Sequence, residues 1–231
     1  MIINIYDKNT LQIVAHPVAT SLEDFKDNPV LFYPDWDNTR HVCSDTEFQN
    51  PILVAGNIRE MTKEELYAVG KYTLADNELV ENNKIKTVEL SECEFIENNT
   101  VKLNRNLKIE QIKKELSELK TEHSEKEFVY KEKYLQRNRE LDKNNLNNIV
   151  TMMIATKKVT FDGWKFKNKD RTDEYVTLTM QDVLELSKIM TEQTTKAMHT
   201  ETVLRENLAN LSDEELKNYN SAEEFEKIWK N

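Results

Sequence analysis

The sequence predicts an α+β protein built in parts: a β-rich front module, a long coiled-coil-like central helix, and a mainly helical C-terminal domain with one β-hairpin. Three observations carry this. All four prolines, Pro17, Pro29, Pro34 and Pro51, lie in the first 51 residues, a turn-rich signature because proline is excluded from helix interiors. The 92 residues 71–162 contain neither glycine nor proline, so nothing punctuates a helical run in their second half. Beyond Thr179 the apolar residues Val183, Leu186, Met190, Ala197, Leu204 and Leu211 recur on one helical stripe. The expected boundaries are a β-rich module over 1–75, a β-hairpin linker over 76–103, a long helix over 104–158 and a helical domain over 159–231.

In the front module, Ile2 to Tyr6 and Leu11 to Val14 flank Asp7-Lys8-Asn9 and read as an opening hairpin. Val30 to Tyr33 and Ile52 to Ala55 are short apolar runs bounded by proline, asparagine or glycine, and both read as strands. Thr62 and Glu65 have the spacing of a capping box, in which hydroxyl and carboxylate each satisfy a free backbone donor, and Gly70 can close the helix that follows.

A repeat then appears. Leu79-Val80-Glu81-Asn82-Asn83-Lys84-Ile85-Lys86 recurs sixteen residues later as Phe95-Ile96-Glu97-Asn98-Asn99-Thr100-Val101-Lys102. Asparagine tolerates the left-handed backbone that tight turns demand, so each copy reads as strand, turn, strand. Two copies make a local motif and not a solenoid.

The long helix is expected to begin after Asn104 or Asn106. Ile109, Ile112, Leu116 and Leu119 have the 3-4-3 spacing of a coiled-coil seam. Farther on the seam turns polar, continuing in step through His123, Lys126 and Tyr130, with Tyr134, Arg137 and Leu141 following after a small shift of phase. This pattern suits an oligomeric coiled coil or a helix folded against a neighbour, and Ile109, Ile112, Leu116 and Leu119 are the candidate interface. In the last domain Asp162-Gly163 between two β-prone runs reads as a type I′ hairpin turn. Thr179 with Asp182, Ser212 with Glu215, and Ser221 with Glu224 read as caps of three further helices.

Composition narrows the function classes. With 38% hydrophobic and 32% charged residues, one large core is less expected than two small ones. Residues 1–100 carry 8 Lys/Arg against 18 Asp/Glu, residues 101–146 carry 12 against 9, and the remainder 12 against 15. An acidic front and alternating charge in the middle argue against nucleic acid as a partner. Cys43 and Cys93 stand alone, without CxxC or a Cys/His cluster, so neither zinc nor any other metal is expected and reduced thiols are. The amino terminus lacks the pattern of a secretory leader and no stretch approaches the ~20 apolar residues of a membrane span. Three glycines leave no phosphate-binding loop, and no serine or cysteine sits in a nucleophile context. The reading is a non-enzyme without cofactor. Asp35 and Asp37 around Trp36 fit a Pro-Asp turn better than a calcium loop, while Tyr33 and Trp36 could offer a surface aromatic contact.

The passage from Gly70-Lys71-Tyr72-Thr73-Leu74-Ala75-Asp76-Asn77-Glu78 to Ile85 resembles a linker, G-K-x-x-L-x-D-G-E followed by isoleucine, of bacteriophage and prophage tail-fibre-associated proteins, with Asn77 in place of the usual glycine. In that family the linker leads into a charged helix and then a C-terminal domain of unknown function, the DUF4376 family. Thr160-Phe161-Asp162-Gly163-Trp164-Lys165-Phe166 and Leu178-Thr179-Met180-Gln181-Asp182-Val183 are similar to its T-F-x-G-x-x-F and L-T-x-x-D-L stretches. The resemblance covers about residues 58–210. It implies a structural component of a phage tail or contractile-tail-like particle, in the baseplate or at fibre attachment, made in the host cytoplasm and located in the virion tail. Other tail proteins are the implied partners, and a homo-oligomer, a trimer sooner than a dimer, the implied state. A tail-fibre assembly chaperone and a carbohydrate-binding adhesin are the alternatives. The family carries no known active site, so no functional residue transfers.

Overall fold

The computed structural model describes residues 1–230. It divides into two units, Met1–Ser91 with Phe95–Lys102, and Glu92–Glu94 with Leu103 onward. Both mix helices with antiparallel strands, and the α+β class stands.

The first unit opens with β1 (Asn4–Asp7) and β2 (Ile13–Ala15). Between them the Asp7 carboxylate accepts the backbone N–H of Asn9 at 2.9 Å and of Thr10 at 3.0 Å, an aspartate-closed turn. Two short helices follow, α1 (Leu22–Asp27), capped by the Ser21 hydroxyl, and α2 (Pro29–Phe32). The second corrects the strand expected at Val30 to Tyr33. Pro29 occupies the first helical position, where its missing N–H has no partner to lose and its fixed φ already suits a helix. β3 (His41–Ser44) completes a sheet of order β2-β1-β3, whose buried Ile5, with the neighbouring Ile3 and Ala19, packs in one core with Phe25 of α1.

β4 (Pro51–Val54) and β5 (Asn57–Glu60) form a hairpin, and α3 (Lys63–Ala68) begins at a complete Thr62–Glu65 capping box. The Glu65 carboxylate also takes both guanidinium nitrogens of Arg59 at 2.7 Å, and this pair, with the Thr62 N–H, holds its pKa down at about 2. β6 (Glu78–Glu81) and β7 (Lys84–Thr87) are joined by Asn82 and Asn83 at φ 50° and 60°, while Asn98 and Asn99, at 51° and 60°, join β8 (Glu94–Glu97) to β9 (Thr100–Leu103). The Asn99 side-chain amide donates to the carbonyl and accepts from the N–H of Val80, both at 2.5 Å, and so fills one rung beside β6.

In the second unit the single helix expected over 104–158 is two helices with a hairpin between them. α4 (Arg105–Glu125) stops at Lys126; β10 (Phe128–Tyr130) and β11 (Tyr134–Gln136) pair; α5 (Glu140–Thr156) follows. Phe128-Val129-Tyr130 is an aromatic and β-branched run that prefers a pleated surface. The turn is made by Lys131 and Glu132 at φ 48° and 58°, residues that give no turn signal in sequence.

β12 (Thr160–Asn168) and β13 (Asp173–Thr179) extend the sheet to the order β10-β11-β12-β13. Asp162-Gly163 is not the turn between them. Phe161 pairs with Leu178 and Trp164 with Val176, so β12 carries one extra residue there, a β-bulge. Gly163 has φ 88°, and the Asp162 carboxylate accepts from the Thr177 hydroxyl at 2.6 Å. The chain reverses at residues 169–172 instead, with Arg171 at φ 70°.

The longest helix is α6 (Met180–Asn207), 28 residues or ~42 Å, started by the Thr179–Asp182 box. A short 3-10 turn (Leu208–Asn210), α7 (Asp213–Lys217) and α8 (Ser221–Trp229) end the described chain. The cap of α8 is Asn220, one residue before the expected Ser221, whose hydroxyl instead donates to Glu115 at 2.6 Å. The first half of α6 contributes Val183, Leu186 and Met190 to a core under the sheet, with Trp164, Phe166 and Leu178 from the strands and Leu146 and Met153 from α5. Its second half contributes Leu204 to a separate core with Ile112, Leu116, Leu208, Leu216 and Phe225.

Candidate functional site

The expected interface seam lies inside the second unit. Ile112 and Leu116 are fully buried, Ile109 and Leu119 pack beside them, and α6, α7 and α8 supply the opposing side chains. The stripe is a helix-packing face of one chain, the second of the two outcomes its spacing allowed. Each apolar position therefore meets its own chain, with Ile109 and Leu119 left partly exposed.

Tyr33 and Trp36 are likewise engaged within the first unit. Both are half-buried. The Trp36 ring meets Phe25 edge-on at 5.3 Å, and Tyr33 and Trp36 contact the buried His41 ring at 5.7 and 5.8 Å. Asp37 accepts the N–H and hydroxyl of Thr39 at 2.8 and 2.7 Å, and these bonds hold its pKa below the usual carboxylate range. It is a turn-closing group. The half-buried thiol of Cys43 is pushed up by burial, the opposite of nucleophilic activation. No group of three or more His, Cys, Asp or Glu side chains among the described residues has metal-binding geometry, and no helix among them is long and apolar enough to cross a membrane.

A groove of about 720 Å³ in the second unit has a shape suited to recognition. It exists because strand pairing stops early. β11 pairs with β12 only through Tyr134 with Asn168 and Leu135 with Lys167. From Thr160 to Phe166 the side of β12 away from β13 therefore has no strand beside it, although β12 is interior in the sheet order.

Two anchors draw the chain away. The buried Gln136 accepts the Trp164 indole N–H at 3.2 Å and donates to the Arg137 carbonyl at 2.8 Å. Two residues on, the fully buried Asn138 donates to the carbonyls of Ser124 and Met190, both at 2.8 Å, and to the Thr194 hydroxyl at 3.2 Å. The chain then enters α5, whose Leu141, Asn145, Asn148 and Ile149 form the facing wall of the groove. The bulge at Asp162-Gly163 bends β12 at the groove's far end, the usual effect of an extra residue in one strand.

Charge is distributed unevenly around this groove. Arg137, Arg139, Lys165 and Lys167 line it against Glu127 and Asp142, an excess of two cations in a chain of net charge −10. Lys165 and Lys167 share one carboxylate, Asp173, at 2.6 and 3.2 Å. On the core side of the sheet, the Tyr130 hydroxyl lies within hydrogen-bond reach of two carboxylates, Asp182 at 3.2 Å and Glu185 at 3.1 Å. Burial first, then these two acids, push the phenol well above its ordinary pKa. Burial works to raise the Asp182 carboxyl, but the Lys131 ammonium and the Thr179 donors hold it well below the usual range. This cluster fastens β10 to the start of α6.

Sequence reasoning missed the groove, since its walls come from β11, β12 and α5 and its defining property is a pairing that ends. The only signal was Asp162-Gly163, which a hairpin turn and a bulge share. Comparison with protein-family models, with curated proteins and with solved structures finds no match to this chain.

Proposed function

We propose that the protein is a non-enzymatic component of a phage tail or contractile-tail-like particle, acting in the baseplate or at fibre attachment and binding other tail proteins. The observation that carries the reading is the resemblance of Gly70 to Ile85, Thr160 to Phe166 and Leu178 to Val183 to tail-fibre-associated sequences. The first of these stretches runs from the end of α3 through the first Asn-Asn hairpin; the other two form β12 and the junction of β13 with α6. Mass spectrometry of purified particles tests the proposal. The protein should be present at a fixed ratio to the baseplate or fibre proteins.

One observation favours the second reading, an assembly chaperone. The stripe at Ile112 and Leu116 is consumed within the chain, so the spacer role expected of a long exposed helix loses its support, and a folded accessory protein fits this packing better. A chaperone would co-purify with the fibre protein before assembly and be absent from finished particles. The adhesin reading loses its basis too, because the rings of Tyr33 and Trp36 pack against Phe25 and His41.

A further inference from the structure

We infer that the free edge of β12 is a strand-addition site, which takes an extended segment of a partner protein, with apolar and acidic residues in alternation, into the groove between β12 and α5. The inference rests on the second unit alone and holds whether or not the protein belongs to a tail.

The first step is backbone chemistry. In an antiparallel sheet every second residue of a strand directs its N–H and C=O to each side. β12 gives one side to β13 along almost its whole length, but on the other side only its last two residues meet β11. Residues 161–166 thus present a row of unpaired donors and acceptors ~20 Å long. An exposed edge of this kind is usually blunted by a covering loop, a proline or a very short strand. Here the edge is recessed: α5 stands across from it as a wall, and a groove of about 720 Å³ lies between them. Main-chain pairing with an extended peptide satisfies such a row, and pockets for alternate side chains give the specificity.

The second step is the two faces of the incoming strand. Trp164 and Phe166 of β12 point to the buried side, where Leu141 and Ile149 line the wall, while Lys165 and Lys167 point to the open side, near Arg137. A strand laid beside β12 shares these two faces because side chains alternate with period two. Its inward residues meet Trp164 and Phe166 and a wall in which Leu141 and Ile149 stand beside Asn145 and Asn148, and its outward residues meet three cations whose nearest carboxylates are Asp173 and Glu127. Acidic side chains fit the outward positions; lysine or arginine there would meet like charge.

The test uses the full chain and an array of capped seven-residue peptides, with Glu fixed at alternate positions and the others varied over apolar residues. Amide hydrogen exchange of residues 161–166 is followed by NMR. Alternate amides in this run should exchange rapidly in the free protein and become protected with the best peptides. Two N-methylated forms of such a peptide, blocked at odd or at even positions, should differ at least tenfold in affinity, because only one set of amides faces β12. Lys165→Glu and Arg137→Glu, at exposed positions that leave the thermal midpoint near that of the parent, should weaken acidic peptides at least tenfold and strengthen peptides carrying Lys instead. Absence of binding across the array at millimolar peptide, equal binding by both N-methylated forms, or indifference to the charge reversals would overturn the inference. So would protection of 161–166 that grows with protein concentration alone, which would make the occupant a second copy.

Discussion

The Trp164 indole N–H donates to the Gln136 side-chain carbonyl at 3.2 Å, with both side chains buried where β11 parts from β12. Each removes the other's desolvation penalty. Gln136→Leu leaves the indole N–H unpaired and Trp164→Phe leaves the amide oxygen unpaired, and each should cost about 1–3 kcal/mol for the orphaned group. The double variant removes both partners, so its cost should fall below the sum of the singles by about 0.5–3 kcal/mol. Urea denaturation of the four proteins measures this. Simple additivity would mean that the bond contributes nothing.

The packing of α4 leads to a second expectation. Leu116 is fully buried against Leu204, Leu216 and Phe225, so Leu116→Ala should destabilise the second unit by about 2–5 kcal/mol. Replacing Leu116 and Leu119 together with Asp should erase much of the helical circular dichroism of that unit at any protein concentration. If the double variant kept full helicity and only its mass in light scattering fell, the stripe would be an intermolecular seam after all.

The hairpin between α4 and α5 changes where protease should act. A continuous polar helix would open most readily between His123 and Lys133 and be cut at Lys126, Lys131 or Lys133. In the structure the Lys131 ammonium is bound to Asp182, Lys133 bonds Glu174 at 2.6 Å, and Tyr130 beside them is buried. Trypsin should therefore be slow at Lys131 and Lys133, and N-terminal sequencing of early fragments should find none that begins at Glu132 or at Tyr134.

What the sequence made legible was mostly local chemistry. Asn82-Asn83 and Asn98-Asn99 sit at the left-handed positions asparagine tolerates, and the boxes at Thr62, Thr179 and Ser212 start α3, α6 and α7. Where another residue type took the role, the signal failed. Lys131 and Glu132 form a positive-φ turn without glycine, asparagine or aspartate, so periodicity ran two helices together. Pro29 opens a helix although its surroundings predict a strand, and Gly163 serves a bulge although Asp-Gly predicts a turn. The stripe of Ile109, Ile112, Leu116 and Leu119 was visible, but its partners lie far along the chain on α6 to α8, and spacing alone does not tell a neighbour in the same chain from one in another. The groove was invisible for a related reason: it depends on Gln136 and Asn138 ending a pairing, which no local pattern encodes.

His123 supplies a pH-dependent expectation. Its ring is buried at the end of α4, tilted against Phe225 at 4.8 Å and edge-on to Trp229 at 4.9 Å, with Nε2 at 3.3 Å from Glu226 and Nδ1 without a hydrogen-bond partner. The surrounding groups are Glu122 and Lys126 on its own segment, Glu226 on α8, and Gln193 of α6, which donates to the His123 carbonyl; Lys196 of α6 lies over the Trp229 ring. Burial lowers the imidazole pKa first, the Glu226 charge opposes this, and Lys126 adds to the lowering. The folded pKa is therefore below the ordinary 6.5. Below about pH 6.5 the unfolded chain takes up a proton that the folded chain refuses, so stability is fully present above that pH and is lost as pH falls toward the folded pKa. Thermal midpoints should drop between about pH 7.5 and about pH 5.5, and His123→Gln, though less stable throughout for want of the ring contacts, should show a shallower drop. The slope is the diagnostic quantity, because other groups that titrate in this range act alike in both proteins. Equal slopes in parent and variant would show that the packing of α8 on α4 does not depend on a neutral His123.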